Sequence, residues 1–220
     1  MKTGFAIALA WPETNCKNAG SWYDGLMELL GFSKNHYYKV GHAAIILISK
    51  ETKECHYFDF GRYHAPLGYG RVRNQDTDPE LRLLTRAKIS GSGKLENFSS
   101  LLNEICNNIS SHGTGPTHGS YVSVDYNSAF MSAKKLQNKE VLKYGPFIWN
   151  GTNCSRFVRT IIISGQPNFF SRLKIAIPFM VTPTPLHNVK ALGSKVIVTP
   201  QEQQQKINKA PLVVSYSESA

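Results

Sequence analysis

The chain has 220 residues, 41% apolar and 18% charged, a balance that fits a globular protein and excludes a disordered one. No stretch approaches the roughly 18 consecutive apolar residues of a membrane span, so none is expected. The net charge of +10 is uneven, since residues 121–220 carry 12 Lys/Arg against 4 Asp/Glu and so hold +8 of it.

In chain order, residues 4–11 read as a strand. Met1-Lys2 and the short apolar run Gly4–Ala10 faintly resemble a signal peptide. However, Trp11-Pro12-Glu13 follows without a small-residue cleavage site, which favours a buried strand. Pro12 ends it, and Glu13–Gly20 is a polar loop containing Cys16. Ser21-Trp22-Tyr23-Asp24 has capping-box spacing, and Trp22, Leu26, Leu29 and Leu30 mark one face of a short helix stopped by Gly31. Lys34–Val40 is a tyrosine-rich link.

The clearest pair of strands follows. Gly41–Ile48 is a near-continuous apolar run, as expected of a strand covered on both faces. Ser49–Glu54 is a charged turn, and Cys55–Gly61 returns as an aromatic-rich strand. Residues 61–80 predict a long surface loop, a feature that is often functional. Leu81–Ile89 reads as a further strand. Leu95, Phe98, Leu102, Ile105 and Ile109 predict an amphipathic helix, with Cys106 as a packing thiol beside its apolar face. Gly113–Gly119 is a loop, Tyr121–Val124 a strand and Asn127–Leu136 a helix. Phe157–Ile163 continues a helix that starts near Cys154 and closes at Gly165-Gln166-Pro167. Ile175–Val181 and Lys195–Thr199 read as strands, and Pro183, Pro185, Pro200 and Gln201–Gln205 as a tail that wraps or frays. The chain reads as one domain over 1–220, with a catalytic core at about 36–165 and a C-terminal extension at 175–220.

The four cysteines, Cys16, Cys55, Cys106 and Cys154, form no CxxC pair and show no metal-ligand spacing. Neither a metal nor a cofactor is expected, and reduced thiols point to a cytoplasmic protein. The basic residues are scattered, with no run longer than Lys134-Lys135. This is a solvated basic surface without a nucleic-acid motif, so no nucleic-acid partner is expected.

Chemistry concentrates at Gly151-Thr152-Asn153-Cys154-Ser155-Arg156-Phe157-Val158. A thiol at a helix N-terminus meets the partial positive charge that favours thiolate. A nucleophilic cysteine needs a base within hydrogen-bond reach and a third group to hold the base's ring. His42 is the best-placed base, because it follows Gly41 and opens an otherwise apolar strand. A hairpin centred between Glu51 and Thr52 puts His42 opposite Gly61, which selects Asp59 on the same face as the third group. Tyr57 lies further off on that face. A bulge in the turn would change parity and bring His56 round instead, so His56 is the second choice. Asp59 also reads as a strand-edge acid paired with Arg62 or Arg71. Cys16 reads as an incidental thiol, and His64, His112 and His118 as solvent-exposed loop histidines. Trp22, Tyr63 and Trp149 read as aromatics that either shape a cleft or pack in the core.

Gly41-His42-Ala43-Ala44-Ile45, followed much later by Asn153-Cys154-Ser155-Arg156-Phe157-Val158, resembles the permuted branch of the NlpC/P60 papain-like superfamily. That branch includes the lecithin:retinol acyltransferase-like proteins. The resemblance covers roughly residues 36–165. It implies an α+β, papain-like fold, an antiparallel sheet or half-barrel packed against helices. It further implies Cys154 as nucleophile, His42 as base and a polar residue of the next strand as orienter. The Cys154 backbone N–H and the Asn153 side chain would supply oxyanion donors. Members often carry a polar residue about a dozen positions after the base histidine, where this chain has Glu54 and Cys55; the longer turn moves that place to Asp59 or His56. The hydrophobic C-terminal anchor of some acyltransferase members is absent from the pattern. The expected activity is a cysteine-dependent hydrolase, a peptidase or amidase working through a covalent thioester on a peptide, amide or acyl substrate. An acyltransferase, or a binding module for an anionic partner using Arg62–Arg86 or the basic second half, are the alternatives.

Overall fold

The computed structural model describes residues 2–17, 24–29, 33–34, 37–38, 40–177, 183–193 and 195–201. Its centre is a seven-stranded antiparallel sheet in the order β10-β8-β1-β5-β6-β7-β9. The strands are β1 (Gly4–Trp11), β5 (His42–Ser49), β6 (Cys55–Gly61), β7 (Tyr69–Arg73), β8 (Thr117–Val124), β9 (Leu142–Lys143) and β10 (Val196–Val198). A separate small sheet joins β2 (Cys16–Lys17), β3 (Ser33–Lys34) and β4 (Tyr37–Tyr38) in the order β2-β4-β3. The helices are α1 (Asp24–Leu29), α2 (Phe98–Cys106), α3 (Tyr126–Gln137), α4 (Cys154–Ser164), α5 (Phe169–Ala176) and α6 (Pro185–Leu192). The fold is α+β, an antiparallel sheet packed against helices.

The alternation in β1 sorts these helices into layers. Phe5, Ile7, Leu9 and Trp11 face one way and pack with Leu101, Leu102 and Ile105 of α2. Ala6, Ala8 and Ala10 face the other way, into a core shared with Phe157, Val158, Ile161 and Ile162 of α4 and Val189 of α6. Small residues on that face admit helices closely, whereas large ones fill the α2 side. Every residue of β1 and β5 is buried, as the continuous apolar runs require. Phe157, Val158, Ile161 and Ile162 are fully buried, each contributing about 1.5–3 kcal/mol. They fix α4, and with it the position of Cys154.

The hairpin of β5 and β6 has the expected register, with Ala44 opposite Asp59 and Leu47 opposite His56. Elsewhere several expectations change. The long loop 61–80 contains β7, whose Arg73 pairs directly with Asp59 on β6, so a buried ion pair supplies what the apolar pattern does not. Leu81 ends a 3-10 turn, and the segment 82–89 joins no ladder beyond one bridge from Ile89 to Leu95. Side chains hold it instead: the Glu104 carboxylate accepts from the Thr85 N–H at 3.0 Å and from that of Leu84, and Asn97 Oδ1 accepts from the Lys88 N–H at 2.7 Å. The helix expected through Ile109 ends at Cys106, and Ile109 stands 91% exposed in a 3-10 turn.

β8 begins four residues earlier than expected, at Thr117, because it pairs with both β1 and β10. Ile175 and Ala176, expected to open a strand, instead close α5, which is capped where Asn168 Oδ1 accepts from the Ser171 N–H at 2.9 Å. The proline-marked tail contributes α6: Pro185 occupies its first turn, where a missing N–H costs no helical bond, and Thr184 caps it. Leu29 is 83% exposed, so it does not carry the apolar face expected of it. Ser21, Trp22, Tyr23, Leu30, residues 178–181 and residues 202–205 lie outside the described residues.

Candidate active site

The site forms at the mouth of β5. Gly41 precedes His42 at φ +75°, and a Cβ there would stand 2.8 Å from the Trp11 carbonyl oxygen. Only glycine takes this left-handed turn at so close an approach. It delivers the His42 ring onto Trp11, stacked at 5.6 Å between centroids. From the other side of the sheet, α4 brings Cys154 to the same strand end. Asn153 is its N-cap, with Oδ1 accepting from the Arg156 N–H at 2.9 Å. Cys154 is only 7% exposed and interacts with the His42 ring, the Ala43 N–H and the Ser155 hydroxyl.

Asp59 is fully buried on the His42 face, and its Oδ2 lies 3.4 Å from His42 Nε2. With Nε2 turned to Asp59, Nδ1 is the nitrogen left to serve the Cys154 sulfur. Arg73 clamps Asp59: Nε donates to Oδ1 at 3.0 Å and Nη2 to Oδ2 at 2.6 Å. Tyr57 Oη and Tyr63 Oη donate to Oδ2 at 3.0 and 3.2 Å. His56 lies on the opposite face, stacked edge-on against Phe130, and has no part in this cluster. The arginine that pairs with Asp59 is therefore Arg73. Arg71 instead grips Asp78 with two hydrogen bonds of 2.7 and 2.6 Å.

The charges reinforce one another. Burial opposes ionisation of Cys154, yet the hydrogen bond from His42 and its positive charge hold the thiol below its ordinary value. Burial likewise opposes a charged His42, but Asp59 and Cys154 raise it to about 9. Burial disfavours the Asp59 carboxylate, and His42 and Arg73 nevertheless keep it below its usual range. These directions all favour a thiolate–imidazolium pair backed by an ionised carboxylate.

A cleft of about 370 Å³ opens over His42, with Thr14, Cys16, Tyr63, His112 and Tyr144 among its walls. Tyr63 thus stands where a cleft residue was expected. Trp149 is 85% exposed and does not line this cleft, and Trp22 lies outside the described residues. Two residues read as incidental belong here, together with Arg73, which was not singled out. Cys16 donates to the Gly41 carbonyl at 3.3 Å; burial, then the negative Cys154, push its thiol up to about 12. His112 stacks on Tyr63 at 5.2 Å. Arg73 was hidden in the presumed loop, although the alternation in Tyr69-Gly70-Arg71-Val72-Arg73 is a strand signal. All four cysteines are free thiols. Among the described residues no cluster could hold a metal ion, and no helix is long and apolar enough to cross a membrane.

Fold and site together define an α+β protein built around a buried cysteine–histidine–aspartate cluster at one end of an antiparallel sheet. A family model described as Type VI secretion system effector TseH-like matches residues 6–169, and the chain belongs to that family. The matched stretch includes His42, Asp59 and Cys154. The crystal structure of the Type VI secretion system effector TseH is similar, with a TM-score of 0.56 at 17% identity over 90% of this chain and 94% of that one. At that identity the likeness is one of fold. No curated protein sequence matches.

Proposed function

We propose that this TseH-like protein is a cysteine hydrolase that cleaves an amide bond of a peptide or related substrate through a covalent thioester. The observation that carries this reading is the helix-start Cys154 held against His42, whose other ring nitrogen faces buried Asp59. The His-before-Cys order matches the permuted NlpC/P60 pattern, and the antiparallel α+β fold is compatible with it. An effector family has use for an enzyme that acts on a target cell, and gives no support to a cytoplasmic site of action.

In the proposed cycle the Cys154 thiolate attacks the carbonyl carbon. The resulting oxyanion is stabilised by the Cys154 N–H at the start of α4. Asn153 Oδ1, engaged in capping, is an acceptor and serves the helix. The His42 imidazolium gives its Nδ1 proton to the leaving nitrogen as the C–N bond breaks, which leaves a thioester and a neutral ring. His42 then takes a proton from water, whose oxygen attacks the thioester. The acid product departs, and thiolate and imidazolium are restored.

The test is a peptide-hydrolysis screen read by mass spectrometry, with Cys154→Ser and His42→Ala as controls. Hydrolysis requires a free carboxylate product and a trapped acyl-Cys154 adduct. Undiminished product in Cys154→Ser or His42→Ala would overturn the assignment. A product joined to an amine or lipid acceptor would convert the reading to acyl transfer.

A further inference from the structure

The contact between His42 and Asp59 is less direct than a triad requires. Their nearest atoms, Nε2 and Oδ2, are 3.4 Å apart, beyond the usual 2.7–3.2 Å of an N–H···O bond. Three closer donors already reach Oδ2: Arg73 Nη2 at 2.6 Å, Tyr57 Oη at 3.0 Å and Tyr63 Oη at 3.2 Å. Of the four groups around Oδ2, His42 Nε2 is the most distant. Tyr63 Oη also lies 3.2 Å from His42 Nε2.

We infer that Tyr63 is the positioning residue that directly orients the His42 ring, with Asp59 acting through the Tyr63 hydroxyl and Arg73 fixing both. This rests on the reading of Cys154 and His42 as nucleophile and base. The proton bookkeeping is consistent. A phenol has one proton to donate, and here it goes to Asp59 Oδ2, which leaves an oxygen lone pair to accept from His42 Nε2–H. The Nδ1 proton is the one that travels during turnover, and no proton moves along the Tyr63–Asp59 link.

The surroundings hold Tyr63 to this task. The Arg73 guanidinium carbon sits 3.4 Å from the ring centroid, and His112 stacks on the ring. Arg71 Nε donates to the Tyr63 carbonyl at 2.9 Å. Gly61 makes room, because a Cβ there would lie 2.5 Å from the ring. Burial and the neighbouring Asp59 raise the phenol well above its ordinary value, so the hydroxyl keeps the proton it donates.

The experiment follows the His42 ring by NMR titration of the full chain in a Cys154→Ala background, with and without Tyr63→Phe. Phenylalanine preserves both ring contacts and removes only the hydroxyl. The expected result is a fall in the His42 titration point of about one pH unit, a tenfold change in imidazolium population. The His42 Nε2–H proton resonance should move as well, because its hydroxyl acceptor is gone. If Tyr63→Phe disturbs the fold, Gly61→Ala is the second variant; its methyl displaces the ring and should produce the same fall. An unchanged titration point in Tyr63→Phe overturns the inference. So does an unmoved Nε2–H resonance, which would mean that Asp59 accepts that proton directly. Because Cys154 is absent, this readout stands apart from the nucleophile assignment. Equal pH profiles of Cys154 alkylation in the wild-type chain and His42→Ala would sink the dyad while leaving the Tyr63 result legible.

Discussion

Arg73 meets Asp59 squarely, with Nε on one carboxylate oxygen and Nη2 on the other, from a register that places the two residues directly opposite on β7 and β6. Both side chains are buried. The pair is therefore a structural commitment as well as part of the site, because removing either member strands a charge away from water.

Arg73→Met should destabilise the protein by about 3–5 kcal/mol, the cost of leaving a buried charge without its partner. Urea unfolding measures it. Asp59→Leu combined with Arg73→Met should recover much of that loss, since no charge is left stranded. Activity should stay absent in the double variant, which separates the stability role from the site role. Asp59 has a depressed folded-state value, so its contribution is present above its unfolded value, near 3.8, and is lost as pH falls through the folded one. The acid limb of wild-type unfolding should therefore lie below pH 3.8 and weaken in Arg73→Met.

Cys154 alkylation by iodoacetamide should proceed readily at pH 6.5. In His42→Ala the thiol loses the partner that holds it ionised, while burial remains. Its titration point should therefore rise and the rate at pH 6.5 drop, by up to about tenfold for each unit of that rise. Equal rates would remove the case for a dyad.

His42 also sets a pH dependence of stability with the opposite sense to Asp59. Its folded-state value, about 9, lies above the ordinary 6.5. The associated stability is therefore fully present below pH 6.5 and fades as pH rises through about 9. The difference in thermal midpoint between the wild-type chain and His42→Ala should be largest near pH 6 and narrow towards pH 9.

Labelling should be selective. Burial pushes both Cys16 and Cys55 up to about 12, so at pH 7.5 they stay as thiols. Peptide mapping after brief native alkylation should find Cys154 modified and Cys16 and Cys55 untouched, even though Cys16 lines the same cleft. Label on Cys16 ahead of Cys154 would contradict the assigned charges.

Asn153→Ala should cost about 1 kcal/mol through loss of the N-cap of α4, read as a shift in the urea midpoint. Asn153→Asp keeps an acceptor for the Arg156 N–H and should restore most of that stability. It also sets a negative charge next to Cys154, so the thiol should ionise at higher pH and alkylate more slowly.

What the amino-acid sequence determined by itself was the local framework of the site. The apolar run of β5, the charged turn and the aromatic return strand placed Ala44 opposite Asp59, because a period of two and a turn centre define a register. Asn153, Cys154 and the closing Gly165 marked α4 by a turn, a helix start and a stop around an apolar run. The tertiary structure alone decided the rest. Arg73 lies 14 residues from Asp59 and meets it only because β7 pairs alongside β6. Likewise, Cys16 and His112 share the His42 cleft only once the chain has folded back over that strand end. The α-helical choice at Ile175 and Pro185 was equally beyond reach, since a short apolar segment suits helix and strand alike until it is packed. Tyr63 shows the difference most sharply. As a residue it was one aromatic in a polar loop, and its place between His42 and Asp59 exists only where Gly61, Arg73 and His112 enclose its ring.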